Sequence, residues 1–300
     1  GYTFDYIISN PPFGIDWKKE KDSVEREAKL GESGRFEAGL PAIGDGQMLF
    51  LQNGLKKLKP TGRMAIIQNG SSLFNGDAGS GPSNIRKFII ENDRLEAIIQ
   101  LPNDLFYNTG IATYIWVVSK NKSAERVGKV QLVDASKCFE KRRKSLGSKR
   151  NEFTDRCIAL IMQAYRAFAD GEYRDGDLVV ECKVKENDDF KYSKVTIERP
   201  LCDESGNPIL KKGKPQADSV KRDTENISWK EDIEAYMQKN VYPYAPDAWI
   251  DEKKTKVGYE IPFTREFYKY VAPRKSEDIF AVLQELEAQE KSLMSKIMQR

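Results

Sequence analysis

Apolar positions along this chain come in short runs whose spacing switches between that of strands and that of helices. Tyr6, Ile7 and Ile8 form a brief apolar run and predict a buried strand over Phe4–Ser9. The run stops at "SNPPFG". Neither Pro11 nor Pro12 can donate a ladder hydrogen bond, and Asn10, which precedes a proline, is pushed out of the helical region. Asp16 to Gly46 is long, charged and broken by glycines. It reads as a loosely ordered excursion, with a short exposed helix in "KKEKDSVEREAK". Met48, Leu51, Leu55 and Leu58 recur at helical spacing, with Asp45 as the cap and Pro60 and Gly62 as the stop. "RMAIIQN" predicts a buried strand over Arg63–Asn69. A small-residue loop follows from Phe74 to Pro82, then a helix capped by Ser83 and carrying Ile85, Phe88 and Ile89. Strands are expected over Leu95–Leu101 and Ala112–Ser119.

This alternation is that of an α/β chain, the later part of a doubly wound sheet. No glycine-rich turn follows an early strand. The opening strands and their cofactor loop are therefore expected upstream of Gly1. After Lys120 the composition changes. Lys129–Val133 reads as a strand at the sheet margin, which sets one expected domain at 1–135 and a mixed α+β region at 136–300. In that second region Lys137 to Arg150 is strongly basic, and Asp155–Ala169 reads as a helix. "DLVVECKV" and "YSKVTIERPL" read as the two arms of a hairpin. A polar linker spans Cys202–Asn226, and a helix is expected near Trp229–Lys239. A terminal helix is expected over Glu277–Gln299, with an apolar stripe of Ile279, Val282, Leu283, Leu286, Leu293 and Ile297.

Composition narrows the chemistry. Three hundred residues can bury a substantial core. The formal net charge of +3 is too small to argue nucleic-acid binding by itself. Four cysteines without a C-x-x-C pair fit a reducing compartment, and no window is apolar enough to span a bilayer. The expected setting is the cytoplasm. Histidine is absent, which excludes Ser-His-Asp and Cys-His catalysis within this chain and removes the usual nitrogen ligands of zinc.

Amides, carbonyls and aromatic rings remain, and the "NPPF" turn gathers all three just past a strand. N-P-P also punctuates ordinary turns, but here a strand comes before it and Gly14 after it. An exocyclic base amine is a weak nucleophile because its lone pair is conjugated with the ring. Acceptors around its hydrogens favour the tetrahedral form. The Asn10 side-chain oxygen and the Pro11 carbonyl are such acceptors. They would stabilise positive charge developing on nitrogen, the inverse of an oxyanion hole. Phe13 can stack on a flipped base.

"DYIISNPPFG" resembles the catalytic motif of methyltransferases that act on the amino group of adenine in DNA. "QMLFLQNGLKKLKPTGRMAIIQNGSSLF", "IRKFIIENDRLEAIIQLP" and "LFYNTGIATYIWVVSKNK" resemble the modification (methyltransferase) subunit of type I restriction-modification systems, and "IPFTREFYKYVAPRKSEDI" resembles its tail. The likeness runs over Phe4–Lys122 and returns at Ile261–Ile279. It implies the C-terminal part of a Rossmann-like methyltransferase sheet. It also implies a catalytic set of Asn10, Pro11, Pro12 and Phe13, S-adenosylmethionine as cofactor, N6-methyladenine as product and no metal requirement. The implied partners are duplex DNA, a specificity subunit, a restriction subunit held indirectly and a second modification subunit. The cofactor loop and the acidic ribose-binding residue have no match here, so this chain alone is expected to bind the cofactor poorly.

Asn108 and Thr109 are placed near the target pocket as substrate-binding residues, while Leu101, Leu105 and Phe106 are expected to pack the sheet margin. Asp5 is expected to support the turn. Lys137–Arg150 suits either phosphate contact or a solvated face. Tyr268, Tyr270 and Arg274 suit a subunit contact or intrachain packing. "SGRFEAGLPAIGDG" reads as a mobile flap beside the site. Two other readings stay open: a methylase of RNA or of protein amides, and an inactive assembly module.

Overall fold

The polypeptide enters through β1 (Phe4–Ser9), which pairs in parallel with β2 (Leu58–Asn69), Ile7 opposite Met64 and Ser9 opposite Ile66. The connection carries α1 (Lys21–Ala28) and α2 (Gln47–Lys57). It is followed by the single turn α3 (Ser71–Phe74), α4 (Gly81–Glu91), β3 (Leu95–Gln100), β4 (Thr113–Ser119) and β5 (Lys129–Lys137). A hairpin of β6 (Glu140–Leu146) and β7 (Lys149–Glu152) leads to α5 (Asp155–Ala167), β8 (Gly171–Asp175) and β9 (Leu178–Glu186). Beyond lie β10 (Lys191–Glu198), β11 (Leu210–Lys211), β12 (Lys214–Pro215), β13 (Asp223–Ser228), α6 (Ile233–Asn240), β14 (Trp249–Ile250), β15 (Lys256–Tyr259), α7 (Phe263–Phe267) and α8 (Ser276–Met298). A computed structural model of the chain describes residues 2–298, and it divides into units through Glu266 and from Phe267 onward. The expected helix end at Gln299 lies outside the described residues.

The first unit is built on an open, mixed, seven-stranded sheet in the order β1-β2-β4-β3-β5-β9-β8. The α/β expectation holds. β4 runs antiparallel to both β2 and β3, and β3 runs parallel to β5. β1, β2, β3 and β5 therefore all point the same way, and their C-terminal ends reach one end of the sheet. The central strands are the driest. Leu95, Ala97, Ile98, Trp116 and Val118 are fully buried, as expected where helices cover both faces. Burial of one such aliphatic side chain contributes about 1.5–3 kcal/mol.

Several expectations are corrected. β1 is not buried: Tyr6 is 79 % and Ile8 90 % exposed. An apolar run marks a strand but not what covers its face, and among the described residues β1 pairs only with β2. β2 begins at Leu58, directly after α2, and the donorless Pro60 falls in an irregular stretch between the Phe4 and Tyr6 pairings. β5 is not the margin, because β9 and β8 extend the sheet beyond it through residues past 135. β9 pairs with β5 and β8 rather than forming a hairpin with β10. β10 instead centres a second sheet with β13, β14 and β15 over a small core of Val195, Ile197, Ile227 and Met237. The cap of α4 is Ser80, not Ser83. The residue 16–46 excursion is packed rather than loose: Trp17, Val24 and Phe36 are buried together. The expected flap is wedged as well. A Cβ on Gly81 would lie 1.7 Å from the Leu40 carbonyl oxygen, so only glycine lets α4 start against it.

Ser83 has a different task. Its hydroxyl accepts from the Tyr259 amide at 3.0 Å, and beside it the buried Arg86 spreads its guanidinium over backbone carbonyls. Nε donates to Tyr259 at 2.6 Å, Nη1 to Ser72 at 3.1 Å and Nη2 to Asn75 at 2.9 Å. Burial lowers this guanidinium to about 10, still charged at neutral pH. The Ile261 amide donates to Leu73 at 2.8 Å, and the Phe263 ring meets Tyr114 edge-on at 5.4 Å. The segment after β15 is thereby sewn into the first unit. In the second unit α8 has no buried residue, and Tyr268 and Tyr270 are exposed. Among the described residues no helix is long and apolar enough to cross a membrane, and no group of His, Cys, Asp or Glu is placed to hold a metal ion.

Arg86→Ala leaves the buried Tyr259 and Ser72 carbonyls, and the partly buried Asn75 carbonyl, without their donor. It is expected to cost about 3 kcal/mol or more, read as a lowered midpoint in urea. Arg86→Lys is expected to recover only part of the loss, because an ammonium lacks the planar fork.

Candidate functional site

The parallel strands deliver three segments to the same end of the sheet, which in open α/β sheets is where ligands bind. Asn10–Gly14 follows β1, Asn69 closes β2, and the loop 101–112 joins β3 to β4. Together they line a cleft of about 700 Å³, with Asn10, Pro11, Pro12 and Phe13 on one side, Asn69 at the base, and Phe106, Tyr107, Asn108, Thr109 and Ile111 opposite. All six site residues expected from the sequence, Asn10, Pro11, Pro12, Phe13, Asn108 and Thr109, meet here. Leu101 and Leu105 are buried, as expected. Phe106 lines the cleft instead of only packing the margin. Asp5 stands away, paired with Lys59 at 2.8 Å on the surface.

Asn10 is exposed and its side chain has no hydrogen-bond partner among the described residues, while Pro11 is buried and Phe13 half-buried. The turn therefore offers an unspent amide at a fixed position. What fixes it is the next segment. The Gly46 amide donates to Ile15 and the Trp17 amide to Ile43, so the chain leaving the turn is stapled to the start of α2.

Gln47 continues that staple to β2. It is 1 % exposed. Its Oε1 accepts from the Asn69 amide at 3.0 Å, and its Nε2 reaches Asn69 Oδ1 at 2.8 Å, Ser71 Oγ at 2.6 Å and Asp45 Oδ2 at 2.9 Å. The Ser71 hydroxyl donates to Asp45 Oδ2 at 2.7 Å. Asp45 serves this network; the cap position of α2 is Gly46, although Asp45 Oδ1 also accepts weakly from the Gln47 amide at 3.4 Å. Asn69 Oδ1 also accepts from the Ser71 amide at 3.0 Å. With its oxygen spent on the network, Asn69 leaves Nδ2 as a donor for the cleft it lines. The cleft thus sets an acceptor, Asn10 Oδ1, and a donor, Asn69 Nδ2, among aromatic rings. Its lining contains no carboxylate, lysine or arginine. It suits a neutral planar ligand better than a charged one.

Asn69, Tyr107 and Gln47 escaped the sequence reading. For Asn69 the signal was a polar residue closing a buried strand. For Gln47 it was an amide ahead of a helical apolar stripe.

Residues 2–200 match the family model described as N-6 DNA methylase. The chain is 28 % identical over 173 residues to the type I restriction enzyme MjaIX methylase subunit of Methanocaldococcus jannaschii, covering 58 % of this chain and 30 % of that protein. It is 34 % identical over 135 residues to the HindI methylase subunit of Haemophilus influenzae, covering 44 % and 27 %. Among solved structures, the type I restriction-modification methyltransferase subunit of Streptococcus thermophilus superposes with a TM-score of 0.50 at 26 % identity, over 62 % of this chain and 34 % of that one. The match therefore spans about a third or less of these relatives' length.

Gln47→Met keeps the volume of the side chain and deletes its amide. It is expected to cost about 1–3 kcal/mol and to speed hydrogen exchange at the Asn69 backbone amide, while amides in β3 keep their protection.

Proposed function

This chain belongs to the N-6 DNA methylase family, and on that premise we propose that it forms the target-base half of an adenine-N6 DNA methyltransferase, the modification subunit of a type I restriction-modification complex. The observation that carries the reading is the convergence of the Asn10–Phe13 turn, Asn69 and the 106–111 wall on one uncharged cleft. A flipped adenine presents an exocyclic amine beside a ring nitrogen. Asn10 Oδ1 and the Pro11 carbonyl accept from the amine hydrogens and favour the tetrahedral nitrogen as its lone pair is freed. Asn69 Nδ2 donates to the neighbouring ring nitrogen. Phe13 supplies a stacking face, and Asn108 and Thr109 bound the pocket from the other wall.

S-adenosylmethionine is the methyl donor in this reading. The cleft residues suit the base and not the cofactor, whose ammonium, carboxylate and ribose hydroxyls call for polar and charged partners that the lining lacks. No cofactor-binding role is given to them. Acting in the cytoplasm, the intact protein would join duplex DNA, a specificity subunit, a second modification subunit and, through these, a restriction subunit. The apolar stripe of α8, with Leu286 54 % and Leu293 59 % exposed, is assigned to the specificity subunit.

Two experiments test this. In the intact protein with its specificity partner, Asn10→Ala is expected to lower methyl transfer to adenine-containing duplex by roughly 2.7–4 kcal/mol of barrier, by analogy with loss of an oxyanion-hole donor. Phe13→Ala is expected to weaken base capture by about 1–3 kcal/mol. Near-normal turnover in the Asn10 variant would remove its assigned role. Leu286→Asp combined with Leu293→Asp is expected to abolish co-purification with the specificity subunit. Retained association in a folded double variant would free the stripe from that assignment.

A further inference from the structure

We propose that the β6–β7 hairpin is a phosphate clamp, gripping the nucleic-acid backbone beside the base held in the cleft. This inference rests on the methyltransferase reading above. Three observations lead to it. The first is charge. Lys141, Arg142, Arg143, Lys144, Lys149 and Arg150 fall within ten residues that contain no acid. Across the whole chain 49 Lys and Arg face 46 Asp and Glu, so without this hairpin the remainder is net acidic. Positive charge is concentrated here rather than spread. Of the six, Arg142 is neutralised by Glu152. Lys141, Arg143, Lys144 and Arg150 are exposed and have no ion-pair partner among the described residues. Such crowding of like charge in one short hairpin is unfavourable unless an anion relieves it.

The second observation is position. β5 shares its direction with β1, β2 and β3, so the hairpin that follows it rises at the same end of the sheet as the cleft. The third is attachment. The Ser148 amide donates to Tyr107 at 3.0 Å and the Arg150 amide to Asp104 at 2.9 Å. Asn151 Nδ2 donates to Asn103 at 2.8 Å. Lys149 Nζ sits 5.2 Å from the centre of the Tyr107 ring, which itself lines the cleft. At the hairpin tip Gly147 has φ +58°, and a Cβ there would lie 2.8 Å from the Tyr107 carbonyl oxygen. The tip is thus held against the cleft wall by backbone, which leaves Lys141, Arg143, Lys144 and Arg150 available to an outside partner. A polyanion whose base enters an uncharged pocket needs its phosphates held outside that pocket. The hairpin is the cationic element bonded to the pocket's own wall.

The test uses the intact protein with its specificity partner and a short fluorescein-labelled DNA duplex containing adenine. The variant Lys141→Gln, Arg143→Gln, Lys144→Gln, Arg150→Gln is compared with the wild type between about 50 and 200 mM salt. Each lost phosphate contact lowers the slope of log affinity against log salt by about 0.9. A slope shallower by about 3 to 4, with the variant's unfolding midpoint unchanged, is the expected result. In methyl transfer the variant is expected to raise KM for DNA and leave kcat intact, the signature of lost uniform binding. An unchanged slope and KM would overturn the proposal. A second variant, Gly147→Val, keeps every cation but collides with the Tyr107 carbonyl. It is expected to raise KM as well, and a wild-type KM would overturn the requirement for docking. Failure of the methyltransferase reading shows separately, as wild-type protein that binds duplex without methylating adenine, and the slope still decides the hairpin's role.

Discussion

A parallel strand pair cannot be closed by a tight turn, and the pairing of β1 with β2 imposes that constraint at the start of this chain. The polypeptide has to leave the end of β1, travel back along the sheet and re-enter beside its starting point. Residues 10–57 make that journey. The return helix α2 starts level with the C-terminal end of β1, so Gln47 lies within reach of Asn69 at the end of the neighbouring strand. The cleft is a product of this geometry. Its base and one wall are the two places where parallel strands run out, held at a fixed spacing by a buried amide that bonds both partners of Asn69, the backbone N–H and the side-chain oxygen.

An amide suits that position better than a charged group. The Gln47 carboxamide presents donor and acceptor together and meets both needs of a neighbouring asparagine. A carboxylate could only accept, and its charge would need pairing in a place that is 1 % exposed. By fixing which side of Asn69 faces inward, the network also decides the polarity offered to a ligand. Binding and stability meet in this one contact, and a change there is felt by both.

Local signals carried much of the fold. The NPPF turn marked the end of β1 because proline cannot continue a ladder. Helical spacing placed α2, and apolar runs placed β3 and β4. The six expected site residues met because chain direction, which alternating elements imply, gathers the ends of parallel strands. What escaped the sequence was partnership. "DLVVECKV" announces a strand, yet nothing in its letters distinguishes β8 and β5 from β10 as neighbours, since pairing is decided by non-local packing. Ser83 was read as the cap, but the helix starts earlier, after Ser80, and Ser83 turns inward to the Tyr259 amide, 176 residues along. The exposed faces of Tyr6 and Ile8 were misread for the same reason, because an apolar residue records a preference and not its fulfilment.

Arg86 binds only carbonyl oxygens, and none of its three close partners titrates or attracts counterions. A guanidinium held by carboxylates would loosen in acid and in concentrated salt. This one is sheltered from both. The hydrogen bonds Arg86 makes across the seam therefore involve no titrating acceptor, while the hairpin beside the cleft is open to the ionic surroundings. One polypeptide keeps its architecture and its adhesion under separate controls. In the proposed clamp, ionic strength modulates the grip on a polyanion without reaching the hydrogen bonds of Arg86.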